Sequence, residues 1–254
     1  MNRMLGLGLA ALAAASMTAQ AETRDAKSDV IAAAKKLAEQ ANYSWTSTPK
    51  SEGAAGGGQG QRAQPGPTEG KTEKDGCTLI SSKQGETTTE AALKGEKVAV
   101  KTADGWKAGS ELQPAAGGGQ QGRRDPAVGM ASRLKTFKAP AADAQALVEL
   151  VAELKEEDGA LAGALSEQGA KDRMSFGGRG GNAQRAPQIA DPKGSAKFWI
   201  KDGVLVKYEY KLSGKMTVGQ NNQEIQINRT TTVEIKDVGT TKVEVPEDAK
   251  KKLE

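Results

Sequence analysis

Catalysis needs side chains that move protons, attack a substrate or hold a metal, and this chain is poor in them. It has 254 residues and no histidine. The usual general base, the usual proton shuttle and the commonest metal ligand are therefore missing. Its one cysteine, Cys77, can form neither an internal disulfide nor a thiolate metal cluster. No adjacent base would activate that thiol, so it reads as a small side chain buried in a strand. The charged run Lys155-Glu156-Glu157-Asp158 and the run Lys250-Lys251-Lys252 read as solvated faces and helix-end charge. No G-x-S-x-G, no metal-ligand spacing and no phosphate loop followed by Lys-Ser/Thr occurs. Asn228-Arg229-Thr230 fits a glycosylation triplet but falls in a strand-like run, where modification is not expected. Without a nucleophile–base pair, an enzyme is not expected, and neither is a cofactor or a metal.

The aromatic residues carry more information. Only 4% of the chain is aromatic, and Tyr43, Trp45, Trp106, Phe198, Trp199, Tyr208 and Tyr210 stand in strand-like runs. Such residues commonly pair across strands within a core. They can also line a concave apolar ligand surface between a sheet and its helices. For the second reading the candidate ligand-binding set is Tyr43, Trp45, Trp106, Leu147, Val151, Leu154, Phe198, Ile200, Val206 and Tyr208. The loop at Asp202-Gly203 decides part of its geometry. A two-residue loop puts Trp199 on the face of Val206, with Phe198 and Ile200 opposite. A three-residue loop puts Phe198 and Ile200 beside Val206 and Tyr208.

The elements that must position these residues follow from periodicity. Val204, Val206, Tyr208, Tyr210 and Leu212 alternate with mostly polar residues, and so do Ile225, Ile227, Thr231, Val233 and Ile235. A period of two means strands with one buried and one wet face. With turn chemistry at Asp202-Gly203 and at Gln220-Asn221-Asn222, residues 194–245 predict an antiparallel meander. Upstream, Val30, Ile31, Ala34, Leu37, Ala38 and Ala41 fall on one stripe of a helix over 26–41. Residues 42–48 predict a strand, as do a run beginning at Cys77 and residues 96–103. Helices are predicted over 126–137, 141–157 and 166–174. Residues 159–165 predict a strand, with a helix as the open alternative. A last helix spans 247–253, with Pro246 at its start. Grouped strands and grouped helices argue an α+β fold with an antiparallel sheet, its helices packed on one face.

Three tracts, at about 53–67, 114–124 and 177–187, are rich in Gly, Gln and Arg. They cannot bury enough apolar area to order themselves. Strands on both sides are needed for the sheet, so they read as loop insertions in one domain over 22–254. Arg62, Arg123, Arg124, Arg179 and Arg185 within them faintly suggest RNA-binding segments, but no interleaved aromatics are present for base stacking. Formal charge is only +4, and no nucleic acid partner is expected. Residues 1–21 read as a signal peptide: basic Asn2-Arg3, an apolar run, then Ala19-Gln20-Ala21 as the cleavage site. The apolar run is too short to span a bilayer. The expected location is periplasmic or secreted, with no transmembrane segment.

This combination resembles the outer-membrane lipoprotein carrier (LolA-like) superfamily. The matching features are the signal peptide, an N-terminal helix leading into NYSWT, the run EKVAVKTADGWK, and KFWIKDGVLVKYEYKLSG with TTVEIKDVGTTKVEVPEDAKKKL. The last of these follows the family's W-x-x-x-x-G hairpin, long strands and a closing V-P. The resemblance implies a curved antiparallel half-barrel with helices covering its inner face. It also implies an apolar cavity that takes lipid or acyl chains. A periplasmic binding or carrier protein for a lipid-like ligand is the expected function. The alternative is an envelope interaction or sensor module with a protein partner and no ligand.

Overall fold

The computed structural model describes residues 25–52, 66–74, 76–112, 125–175, 188–218 and 223–254. Residues 1–21, read as a signal peptide, nearly all of the three Gly-rich tracts and the turn expected at 220–222 lie outside the described residues. The described strands form a single curved, open, antiparallel sheet of 11 strands. In chain order these are β1 (Asn42–Ser51), β2 (Thr68–Glu73), β3 (Thr78–Gln84), β4 (Thr87–Lys94), β5 (Lys97–Thr102), β6 (Gly105–Ala108), β7 (Lys155–Glu157), β8 (Ala160–Ala164), β9 (Gln188–Lys201), β10 (Val204–Val218) and β11 (Gln223–Lys236). Their spatial order is β6-β5-β4-β3-β2-β1-β11-β10-β9-β8-β7. Two meanders are thus joined at the centre by the pairing of β1 with β11, Trp45 opposite Ile235.

The helices are α1 (Ala26–Ala38), α2 (Pro126–Leu134), α3 (Pro140–Glu149), α4 (Glu167–Ser175) and α5 (Glu247–Leu253). Local chemistry starts them. The Asp25 side chain accepts from Lys27 N–H and the Asp125 side chain from Ala127 N–H, each satisfying an orphan donor of a first turn. Pro126 and Pro140 supply the fixed φ that suits a first helical position. Ser166 Oγ accepts from Gly169 N–H at 3.0 Å to open α4.

The main core lies between one face of the sheet and α1 to α4. The α1 stripe Val30, Ala33, Ala34 and Leu37 packs with Leu147, Val148 and Val151, over Phe198, Leu205, Tyr208 and Leu212 of the strands. The small residues of that stripe let α1 approach both α3 and β10. Helix α2 covers the Ala91, Leu93, Val98 and Val100 side of β4 and β5. Helix α5 does not join them. It packs on the other face of β4 to β6, where Ala92, Ala99, Ala249 and Leu253 form a separate cluster with Cys77, Leu79 and Trp106. Of the described helices, α1 to α4 therefore share the inner face and α5 covers the outer one, a departure from the expectation that all pack on one side. Cys77 is half-buried beside that outer cluster, just before β3.

Other expectations need correction too. The predicted helix over 141–157 stops at Glu149. Val151 makes a bridge with Leu165, and Lys155–Glu157 pairs with β8 as a short edge strand. Asp158 and Gly159 turn between them with φ of 51° and 72°, the left-handed pair that a two-residue hairpin turn requires. By contrast, the strand read over 159–165 is present, as Ala160–Ala164. Strand β2 passes unseen in the sequence because its inward positions are Thr68, Gly70 and Thr72, which leave no apolar alternation. Strands β4 and β6 were not anticipated either.

Candidate functional site

Strand register brings one row of side chains across six strands on the inner face. Thr68 of β2 lies opposite Ser47 of β1, and Ser47 opposite Val233 of β11. Val233 faces Tyr208, Tyr208 faces Phe198, and Phe198 faces Leu161 of β8. The hairpin at Asp202-Gly203 has a two-residue turn, Lys201 pairing with Val204, with φ of 54° and 73° at the turn. The register then shifts between Leu205 and Lys207. That bulge at Val206 resets the faces. Phe198 and Ile200 end up with Tyr208 and Leu205 inside, while Trp199 lies outside under Lys207, whose Nζ stands 4.4 Å from the ring centre. Val206 itself is half-buried and outside the core, so its place in the candidate set is withdrawn.

Where the row passes beyond the cover of α1, a cleft of about 470 Å³ opens. The sheet gives it Trp45, Ser47, Thr68, Tyr208, Tyr210 and Val233. The 136–140 segment, α3 and α4 give Phe137, Pro140, Asp143, Ala146, Leu150 and Arg173. Trp45 stacks with Phe137 at 5.7 Å between centres. Its Nε1–H donates to Thr72 Oγ1 at 3.1 Å, so the indole is held by both its face and its polar edge. Gly70 lies directly beneath it, where a Cβ would sit 2.1 Å from the ring.

The polar end of the cleft is one connected group. Arg173 donates from both terminal nitrogens to Asp143, at 2.8 and 2.9 Å. Tyr208 Oη donates to Asp143 Oδ2 at 2.9 Å. The guanidinium lies over the Tyr210 ring at 4.7 Å. Burial acts against the Arg173 charge, but the hydrogen bonds and field of Asp143 outweigh it and raise the proton affinity of the guanidinium. Burial first, then the neighbouring Asp143 carboxylate, hold the Tyr208 hydroxyl well above the usual tyrosine range. Burial also raises Tyr43, partly offset by the Ala141 backbone and the Thr72 hydroxyl.

A pH dependence follows. Tyrosine titrates near 10.0 when unperturbed. In the folded protein both tyrosines keep their protons above that pH, whereas the unfolded chain gives them up. Stability from this source is thus complete below about pH 10 and falls as pH rises beyond it, by at most about 1.4 kcal/mol per pH unit for each tyrosine. Urea midpoints measured from about pH 8 to about pH 11 should be flat and then fall, and less steeply in Tyr208→Phe. A flat profile throughout contradicts the assignment.

Of the candidate set, Trp45 and Tyr208 line this cleft. Tyr43, Leu147, Val151 and Leu154 are buried in the core beneath it. Phe198 and Ile200 line a second, shallower recess of about 390 Å³ between α1 and the β7–β8 turn. Trp106 is on the outer face under α5 and cannot reach the cleft. The sequence reading missed Phe137, Asp143, Leu150, Arg173 and Val233 as lining residues. A signal was there: Arg173 falls on the buried stripe of α4 with Gly169, Ala170 and Met174. A charge on an apolar stripe implies a partner, and Asp143 borders the buried stripe of α3.

No protein-family model matches the chain, and no curated protein matches it. Among solved structures it is similar to the lipoprotein LppX of Mycobacterium tuberculosis, at 9% identity and a TM-score of 0.42, over 85% of this chain and 96% of that one. It is also similar to LprF of Mycobacterium bovis, at 10% identity and a TM-score of 0.42, over 88% and 96%.

Proposed function

We propose that this protein, once exported, binds an apolar chain-like molecule, a lipid or other acyl-bearing compound, in the cleft between the sheet and α3 and α4. The observation that carries this reading is the cleft of about 470 Å³, floored by Trp45, Phe137, Leu150, Tyr210 and Val233. It falls in the size range of ordinary ligand sites and has their composition, mostly apolar with a few converging polar groups. An acyl segment burying about 200 Å² there would gain roughly 5 kcal/mol before the costs of association. Shielding that segment from water is the whole mechanism. No described helix is long and apolar enough to cross a membrane, and export rests on the reading of residues 1–21.

Protein purified from its native host should yield copurifying lipid by mass spectrometry, and stripped protein should take up the neutral fluorophore N-phenyl-1-naphthylamine. Ala146→Phe places a ring into the cleft from a half-buried position on α3. That variant should lose at least about tenfold in fluorophore affinity, while its melting temperature shifts by no more than about 3 °C. Protein that carries no lipid and takes up no fluorophore rules the reading out.

A further inference from the structure

The charges around the cleft decide what head group it accepts. Arg173 lies over the Tyr210 ring, and both its terminal nitrogens are already engaged by Asp143. The pair is neutral as a unit, and only 13% and 19% of the two side chains is exposed. Tyr208 has also spent its proton on Asp143. The rim repeats the balance with exposed Lys138 and Asp172. Two acids and two bases line the cleft, so it offers no net attraction to an anion. A carboxylate or phosphate brought in would lose hydration beside an existing carboxylate, and the cation outside the ion pair, Lys138, stands exposed on the rim, where water screens it.

What remains unspent is donor capacity. A guanidinium has five N–H groups, and two of them serve Asp143. Nε–H is buried with no acceptor and is shut off from the cleft surface, so the donors left for a ligand are the second N–H groups of the two terminal nitrogens. A neutral acceptor such as an ester or amide carbonyl can use such donors without carrying charge into the site.

We infer that the cleft selects lipids with an uncharged ester or amide head over ionised fatty acids, with Asp143 cancelling the charge of Arg173. This rests on the binding reading above and deepens it. The test compares 1-monodecanoylglycerol with decanoate, both below their micelle concentrations, as displacers of N-phenyl-1-naphthylamine at neutral pH, where the acid is ionised. The ester should displace at about tenfold lower concentration. In Asp143→Asn the guanidinium loses its counter-charge, so the preference for the ester over decanoate should shrink about tenfold, whatever the change in affinity common to both. If wild-type protein binds the fluorophore but treats the two displacers alike, favours decanoate, or releases nothing to the ester, the inference is overturned and the binding reading stands. Failure to bind the fluorophore at all removes the reading beneath it. The wild-type comparison decides the matter even if Asp143→Asn folds poorly.

Discussion

Adding a single methyl group at Gly70 is expected to cost about 3 kcal/mol of stability and to spoil the cleft. The built Cβ would lie 2.1 Å from Cζ2 and 2.2 Å from Cε2 of Trp45. Neither side can give easily. Gly70 is pinned between Trp45 of β1 and Ile80 of β3 by strand pairing. Trp45 is 4% exposed, stacked on Phe137 and tied to Thr72 by its indole N–H. Either the central strands part or the ring rotates toward the cleft and breaks its hydrogen bond. Overpacking of this kind typically costs about 1–3 kcal/mol, and a rigid indole against backbone belongs at the upper end. Gly129→Ala is the control, since its added methyl meets nothing within 4 Å. It replaces glycine in a helix interior and should stabilise by about 0.5–1 kcal/mol. Urea unfolding of both variants, with fluorophore uptake alongside, checks the pair. Gly70→Ala within 1 kcal/mol of wild type would mean that the indole does not rest on that strand.

That same contact shows why the sequence revealed some parts of the fold and hid others. The long strands β9, β10 and β11 were legible because they alternate over many residues, as Val204 to Leu212 does. The bulge at Val206 was not legible. A register shift leaves the residue types untouched, so the alternation read Val206 as inward where Leu205 is the buried neighbour. Strand β2 was hidden by the requirement at Gly70: the position under Trp45 must be empty, and an empty position carries no hydrophobic signal. Residues 155–157 looked helical because Glu and Lys suit helices, yet Asp158-Gly159 already held the hairpin turn seen in the structure. Compartment aside, the candidate site was half legible. Aromatics on strands announce a greasy surface, but whether a given one is sealed, like Tyr43, or lines an opening, like Tyr210, depends on where the helices end. Trp106 illustrates the limit: alternation says that it is buried, and only the position of α5 says on which face.

Asp143→Ala is expected to destabilise by about 3 kcal/mol, and Arg173→Met in the same chain to restore about 2 kcal/mol of that. Removing the carboxylate leaves a guanidinium that is 13% exposed without a counter-ion. It also leaves the Tyr208 hydroxyl, on a residue 2% exposed, without its acceptor. The cleft lets some water reach both, which places the loss below the roughly 5 kcal/mol of a sealed pair. Methionine keeps much of the arginine's length, can lie on the Tyr210 ring where the guanidinium now sits, and brings no charge. The orphaned Tyr208 hydroxyl remains, so recovery is incomplete until Tyr208→Phe is added. The cycle is read by chemical denaturation of the two single variants and the double. A coupling of about 2 kcal/mol or more says that the ion pair acts as a unit joining α3 to α4 over β10. A coupling under about 0.5 kcal/mol would match an exposed surface pair instead. The two helices would then be held by their apolar stripes alone, and Asp143 would have no charge of consequence to cancel.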